Sequence, residues 1–129
     1  KGGTSDTSDS VSKQYYLYSR ATKAGAVQYD IDVYINGKWV RKIRNTENQV
    51  VLDVTKKLRK GKNVIHFAAT KNYGGKPRKS SSPSDYVQVF VGRGTKGGGT
   101  VNITSTLASF KAPASRTDNF GQEMSVEVK

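Results

Sequence analysis

Between Ala26 and Ile43 the chain alternates with a period of two. Val27, Tyr29, Ile31, Val33 and Ile35 fall on one phase, and Gln28, Asp30, Asp32 and Tyr34 on the other. That alternation predicts a half-buried strand, because successive side chains of extended backbone point to opposite faces. Asn36-Gly37 follows and supplies the two positive φ angles of a type I′ hairpin turn. The turn implies a register in which Tyr34 faces Trp39, Val33 faces Val40 and Asp32 faces Arg41. Further runs of strand character are QYYLYSR, NQVVLDVT, KNVIHFAAT, SDYVQVFVG, GTVNITSTLASF and QEMSVEV, separated by Gly-, Pro-, Ser- or Asn-rich connections. In QYYLYSR, Tyr16 and Tyr18 fall on one side and Tyr15 and Leu17 on the other. About eight strands without a sustained helical period predict an all-β fold: a single antiparallel β-sandwich, jelly-roll-like, that buries alternate residues between two sheets.

The stretch DVTKKLRKGKNVI, 53–65, is the one place where a basic helix competes with a connection between strands. Leu58 is the only apolar residue between Val54 and Gly61, so at most one helical turn fits. Ile35, Asn36 and Gly37, followed by Asp53, Val54, Thr55, Leu58, Gly61, Asn63 and Ile65, form a pattern that resembles the galactose-binding-like jelly-roll domains. These occur in carbohydrate-binding modules and in the sugar-binding domains of glycoside hydrolases. The resemblance covers about forty residues of the middle of the chain, and a pattern of this kind speaks for fold more than for ligand. It implies that the lysine-rich stretch connects two strands, with Leu58 tucked beneath it and its charges in water.

Residues 1–13, KGGTSDTSDSVSK, carry no apolar periodicity and are expected to form a flexible polar tail ahead of a sandwich domain at 14–129. The 129 residues are the size of one domain, and the chain has no cysteine, which excludes disulfides and thiolate metal sites. No apolar run reaches the length of a membrane span, and no apolar signal-peptide core opens the chain, as expected of a processed mature form. A Ser/Thr/Gly/Asn-rich composition without cysteine suits an extracellular or periplasmic, cell-surface location.

The net charge of +12 is concentrated in the centre: residues 38–79 hold thirteen basic and two acidic side chains. Clustered Lys and Arg attract polyanions by counterion release, but the same cluster also describes a solvated face, and charge alone does not choose. Nucleic acid is expected only as a nonspecific partner, since no nucleic-acid-binding motif is present. GRGTKG, 92–97, matches a dinucleotide fingerprint literally. It precedes glycines and β-branched residues where a helix must start, so it is expected to be a loop between strands, with Arg93 and Lys96 free to meet an anion. Asp30 and Asp32 share one strand face. They are expected to be solvated ion pairs, because no apolar pocket flanks either carboxylate and no further oxygen ligands complete a calcium site. His66, the single histidine, is expected to be a partly buried structural residue, with neither zinc partners nor catalytic geometry. Asn102-Ile103-Thr104 has the form of a glycosylation sequon.

No catalytic residues and no cofactor are assigned, and the sequence reads as a non-catalytic module that binds a polysaccharide or another polyanion. Tyr34 and Trp39 are the candidates for stacking on the ligand. Arg41, Lys42 and Arg44 are the candidates for its anionic or hydroxyl groups. An alternative reading is a structural subunit of a filament, shell or surface layer. Its N-terminal arm, with Tyr15, Tyr16, Leu17 and Tyr18 as anchors, would add a strand to the open edge of another copy and form a homo-oligomer.

Overall fold

A computed structural model describes residues 13–129; the expected tail thus lies outside the described residues except for Lys13. Eight strands follow in order: β1 (Tyr15–Ala21), β2 (Tyr29–Ile35), β3 (Lys38–Ile43), β4 (Gln49–Asp53), β5 (Gly61–Lys71), β6 (Tyr86–Gly97), β7 (Thr100–Pro113) and β8 (Phe120–Val128). They form two four-stranded sheets, one ordered β4-β1-β6-β7 and the other β3-β2-β5-β8, with every pairing antiparallel. The connections β2–β3 and β6–β7 stay within a sheet, and the other five cross between sheets. This is the expected all-β sandwich of jelly-roll-like type.

The alternation along β2 sorts as the sequence predicts. Tyr29, Ile31, Val33 and Ile35 are buried in the core, leaving Asp30, Asp32 and Tyr34 on the outer face of the second sheet. Rings from both sheets meet in the centre of the core. Phe67 of β5 stacks on Phe110 of β7 at 5.2 Å between centroids, and Phe110 in turn contacts Phe120 of β8 at 5.3 Å. Offset rings at such separations add to the area they bury.

The lysine-rich stretch is the connection that the resemblance implies. Thr55–Lys57 makes a single 3₁₀ turn, Val54 and Leu58 are buried beneath it, and Lys56, Lys57, Arg59, Lys60 and Lys62 are exposed. Asn63, fully buried, fixes this loop. Its amide nitrogen donates to the carbonyls of Arg59 (2.7 Å) and Gly61 (3.1 Å), while its oxygen accepts from the Asn36 amide (2.9 Å) and from the Arg59 N–H. Asn36 and Gly37 have φ of 53° and 81°, the left-handed pair expected of the type I′ turn. The Asn36 side chain also accepts the Val64 N–H (2.9 Å). The β2–β3 turn and the basic loop are therefore one hydrogen-bonded unit.

Two local expectations are corrected. The β2–β3 ladder keeps Tyr34 opposite Trp39 but then shifts register, so that Val33 faces Arg41 and Asp32 faces Lys42. Val40 is the extra residue of a β-bulge and still packs against the core. The GRGTKG segment is strand rather than loop: it forms the end of β6, and the turn comes later, at Gly98 and Gly99 with φ of 59° and 80°. Its glycines serve close approach. A Cβ on Gly92 would sit 2.6 Å from the Ser105 carbonyl oxygen, and one on Gly94 2.7 Å from that of Asn102, both beside register shifts in the β6–β7 ladder.

Candidate functional site

Strand pairing assembles a lateral row across the outer face of the second sheet. Trp39 of β3 lies opposite Tyr34 of β2, Tyr34 opposite His66 of β5, and His66 opposite Glu123 of β8. Trp39 is 57% exposed, the most exposed large apolar side chain among the described residues. Its indole N–H donates to Asp32 Oδ1 at 2.9 Å, which holds the ring on this face. Tyr34 and His66 rings are tilted, 5.8 Å apart. The next row holds Lys42, Asp32, Ala68 and Gly121, and Lys42 Nζ lies 3.8 Å from Asp32 Oδ2. Small residues beside large rings leave a shallow depression of about 340 Å³, lined by Tyr34, Gly37, Val64, His66, Ala68 and Glu123.

This surface can do two things chemically. The rings offer flat apolar area with polar groups at the edge, as sugar rings and bases require. Asp32 and Glu123 accept hydroxyl hydrogens. His66 Nδ1 is buried, makes no hydrogen bond among the described residues and lies 3.6 Å from Glu123 Oε1, so only the remainder of the half-exposed ring is presented on this face. His66 is partly buried, as expected, and the row gives it a position in the candidate site as well.

Of the five residues that the sequence singled out, three meet here: Tyr34, Trp39 and Lys42. Arg41 does not. The bulge turns it to the side that Val33 occupies, where it forms an ion pair with Glu47, and the same carboxylate accepts the Arg44 N–H at 2.9 Å. The Arg44 side chain lies farther down the sheet, at the rim of a second cavity of about 270 Å³ around Asp30. Asp30 is not solvated as expected: only 8% exposed, it accepts the Asn45 N–H (2.9 Å), the Asn45 side chain (2.8 Å) and the Asn72 side chain (2.8 Å). Burial pushes its carboxyl up, but the bonds from Asn72 and Asn45, helped by Lys42, outweigh this and hold it below the usual range.

Sequence reasoning did not reach His66 and Glu123 as neighbours of Tyr34. The alternation in NVIHFAAT puts Val64, His66 and Ala68 on the polar phase, but only the pairing register brings His66 beside Tyr34.

Tyr15–Tyr18 are placed elsewhere. They lie in β1, hydrogen-bonded on one side to β4 and on the other to β6. Tyr15 and Leu17 belong to the core of their own sandwich. Tyr16 is buried outside that core, and Tyr18 lies 5.7 Å from Phe90 on the outer face of the first sheet. These four residues therefore have no free strand edge to offer a second copy. Arg93 and Lys96 are exposed on β6, and Asn102 is exposed on β7.

Among the described residues no group of three or more His, Cys, Asp or Glu side chains could hold a metal ion, and no helix is long and apolar enough to cross a membrane. No family model matches the chain, and neither a curated protein nor a solved structure is found to be similar to it.

Proposed function

We propose that this domain is a non-catalytic polysaccharide-binding module of the galactose-binding-like jelly-roll kind, acting outside the cell or at its surface. The observation that carries the reading is the row Trp39–Tyr34–His66–Glu123: an exposed indole, anchored by its own N–H, continues into a second ring, an imidazole and a carboxylate. Trp39 and Tyr34 stack on the sugar rings, and Asp32, His66, Glu123 and Lys42 meet the hydroxyls. The face carries carboxylates of its own, which favours a hydroxyl-rich polymer over a uniformly charged polyanion such as nucleic acid.

Trp39→Ala tests this on a glycan array and by titration calorimetry. Binding is expected to weaken at least about tenfold, or ~1.4 kcal/mol, with the thermal midpoint little changed because the ring is mostly outside the core. An unaltered array profile removes this face as the binding site.

A further inference from the structure

Several cations of the central segment, though not the solvated lysines of 56–62, are engaged by the protein itself. Arg41 is paired with Glu47. Lys71 Nζ donates to the carbonyls of Val27 and Arg116. Arg78 donates to those of Ser80 and Ala114. Arg44, Lys76 and Lys79 differ: among the described residues their side-chain nitrogens make no hydrogen bond and no ion pair, yet all three line the cavity around Asp30. Tyr73 and Asn72 line it too.

The cavity is built firmly. Gln28, 2% exposed, adopts φ of 59°, unusual for a residue with a side chain. From that conformation its side chain donates to the Pro77 carbonyl (3.2 Å) and accepts the Lys79 N–H (2.9 Å), while its own carbonyl accepts the Asn72 N–H (2.7 Å). The loop 72–79 is thereby fastened over Asp30. Two of the three bonds to Asp30 fall on Oδ1 and one on Oδ2, so Oδ2 keeps acceptor capacity for a ligand hydroxyl.

We propose that this cavity binds one anionic sugar ring of the polysaccharide, its carboxylate or sulfate held by Arg44, Lys76 and Lys79, a hydroxyl by Asp30 Oδ2 and its apolar face by Tyr73. The inference rests on the polysaccharide reading and adds the ligand's class, an acidic glycan. Geometry connects the two ends: Asp30 and Tyr34 are four residues apart on the same face of β2, about 13 Å at ~3.3 Å per residue. One short oligosaccharide therefore reaches from the aromatic row to the cavity. The cations and the carboxylate play different parts, since a ring that offers an anion at one edge and a hydroxyl at another fits both, whereas a bare anion meets Asp30 as a like charge.

The test uses the whole chain against alginate (carboxylated), dextran sulfate and uncharged dextran, measured by calorimetry at fixed salt. Four proteins are compared: the natural chain, Trp39→Ala, the triple variant Arg44→Gln/Lys76→Gln/Lys79→Gln, and a control with the same charge loss, Lys56→Gln/Lys57→Gln/Lys60→Gln. The expected result is that the natural chain binds at least one of the two acidic polymers more tightly than dextran. The cavity variant then loses about tenfold or more of that binding, and the control less than twofold; which polymer responds identifies the anion. Equal losses in the cavity variant and the control reduce the effect to nonspecific charge and overturn the proposal. An unaffected cavity variant alongside a weakened Trp39→Ala overturns it while leaving the polysaccharide reading intact. A natural chain that binds neither acidic polymer more tightly than dextran overturns it, and the glycan array then decides the polysaccharide reading on its own.

Discussion

Asn63 shows how one buried polar residue decides a local structure. Its side chain makes four hydrogen bonds with no exposed surface, so Asn63→Ala leaves backbone carbonyls and the Asn36 amide without partners. A loss of about 1–3 kcal/mol is expected from urea titration, whereas Lys60→Ala in the same loop, fully in solvent, is expected to stay within about 0.5 kcal/mol. Asp30 acts similarly on the other side of the fold, with a pH dependence. Its folded carboxyl titrates below the unfolded one. The stability it contributes is therefore fully present above the ordinary carboxylate range and is lost as pH falls through the folded value. Melting curves from pH 7 down to pH 3 are expected to show the natural chain losing more stability than Asp30→Asn. Parallel curves would mean that the carboxylate is not held by Asn45 and Asn72 in the way described.

Elements depend on positions where a side chain does not fit. At Gly37 a Cβ meets nothing within 4 Å, and the constraint is only the φ of 81°; Gly37→Ala is expected to cost about 1–2 kcal/mol, the strain of left-handed backbone. At Gly92 the constraint is contact, since a Cβ would lie 2.6 Å from the Ser105 carbonyl. Gly92→Ala is expected to cost about 1–3 kcal/mol by forcing the β6–β7 ladder apart, with faster amide exchange along Ser105–Ala108 as the readout. The bulge in β3 belongs to this scale as well. One extra residue, Val40, keeps Trp39 beside Tyr34 and brings Lys42 rather than Arg41 to Asp32, which sets the chemistry of the candidate site.

For the molecule as a whole, stability comes from the two sheets closing on Phe67, Phe110 and their neighbours. Phe67→Ala, at 0% exposure, is expected to cost about 3–5 kcal/mol. The position of β1 makes a further prediction. Deleting residues 1–18 removes half of a strand that lies between β4 and β6 and is expected to abolish the cooperative melt. Deleting 1–12 leaves every described strand whole and is expected to preserve it. Assembly through an N-terminal arm would have to use residues ahead of β1; light scattering of the 1–12 deletion against the full chain separates that from a binding module whose size does not change.

The sequence by itself determined the strand content, the phase of burial in β2 and the turn at Asn36-Gly37, because alternation and left-handed glycine or asparagine are local properties of the backbone. It also determined that the lysines of 56–62 stay in water, since one leucine among them cannot hold a helix. Register and neighbourhood were decided only by the tertiary structure. A single inserted residue in β3 moved Arg41 off the face of Trp39, and no local pattern marks a bulge. GRGTKG reads as a loop because its glycines lack side chains; the structure uses the same absence to let two strands approach. Asp30 and Asp32 are alike in sequence, two residues apart on one face. Loops from 44–46 and 72–79 close over the first and leave the second beside an exposed indole, and the energy of that closure lies in contacts between residues fifteen to fifty-one positions apart.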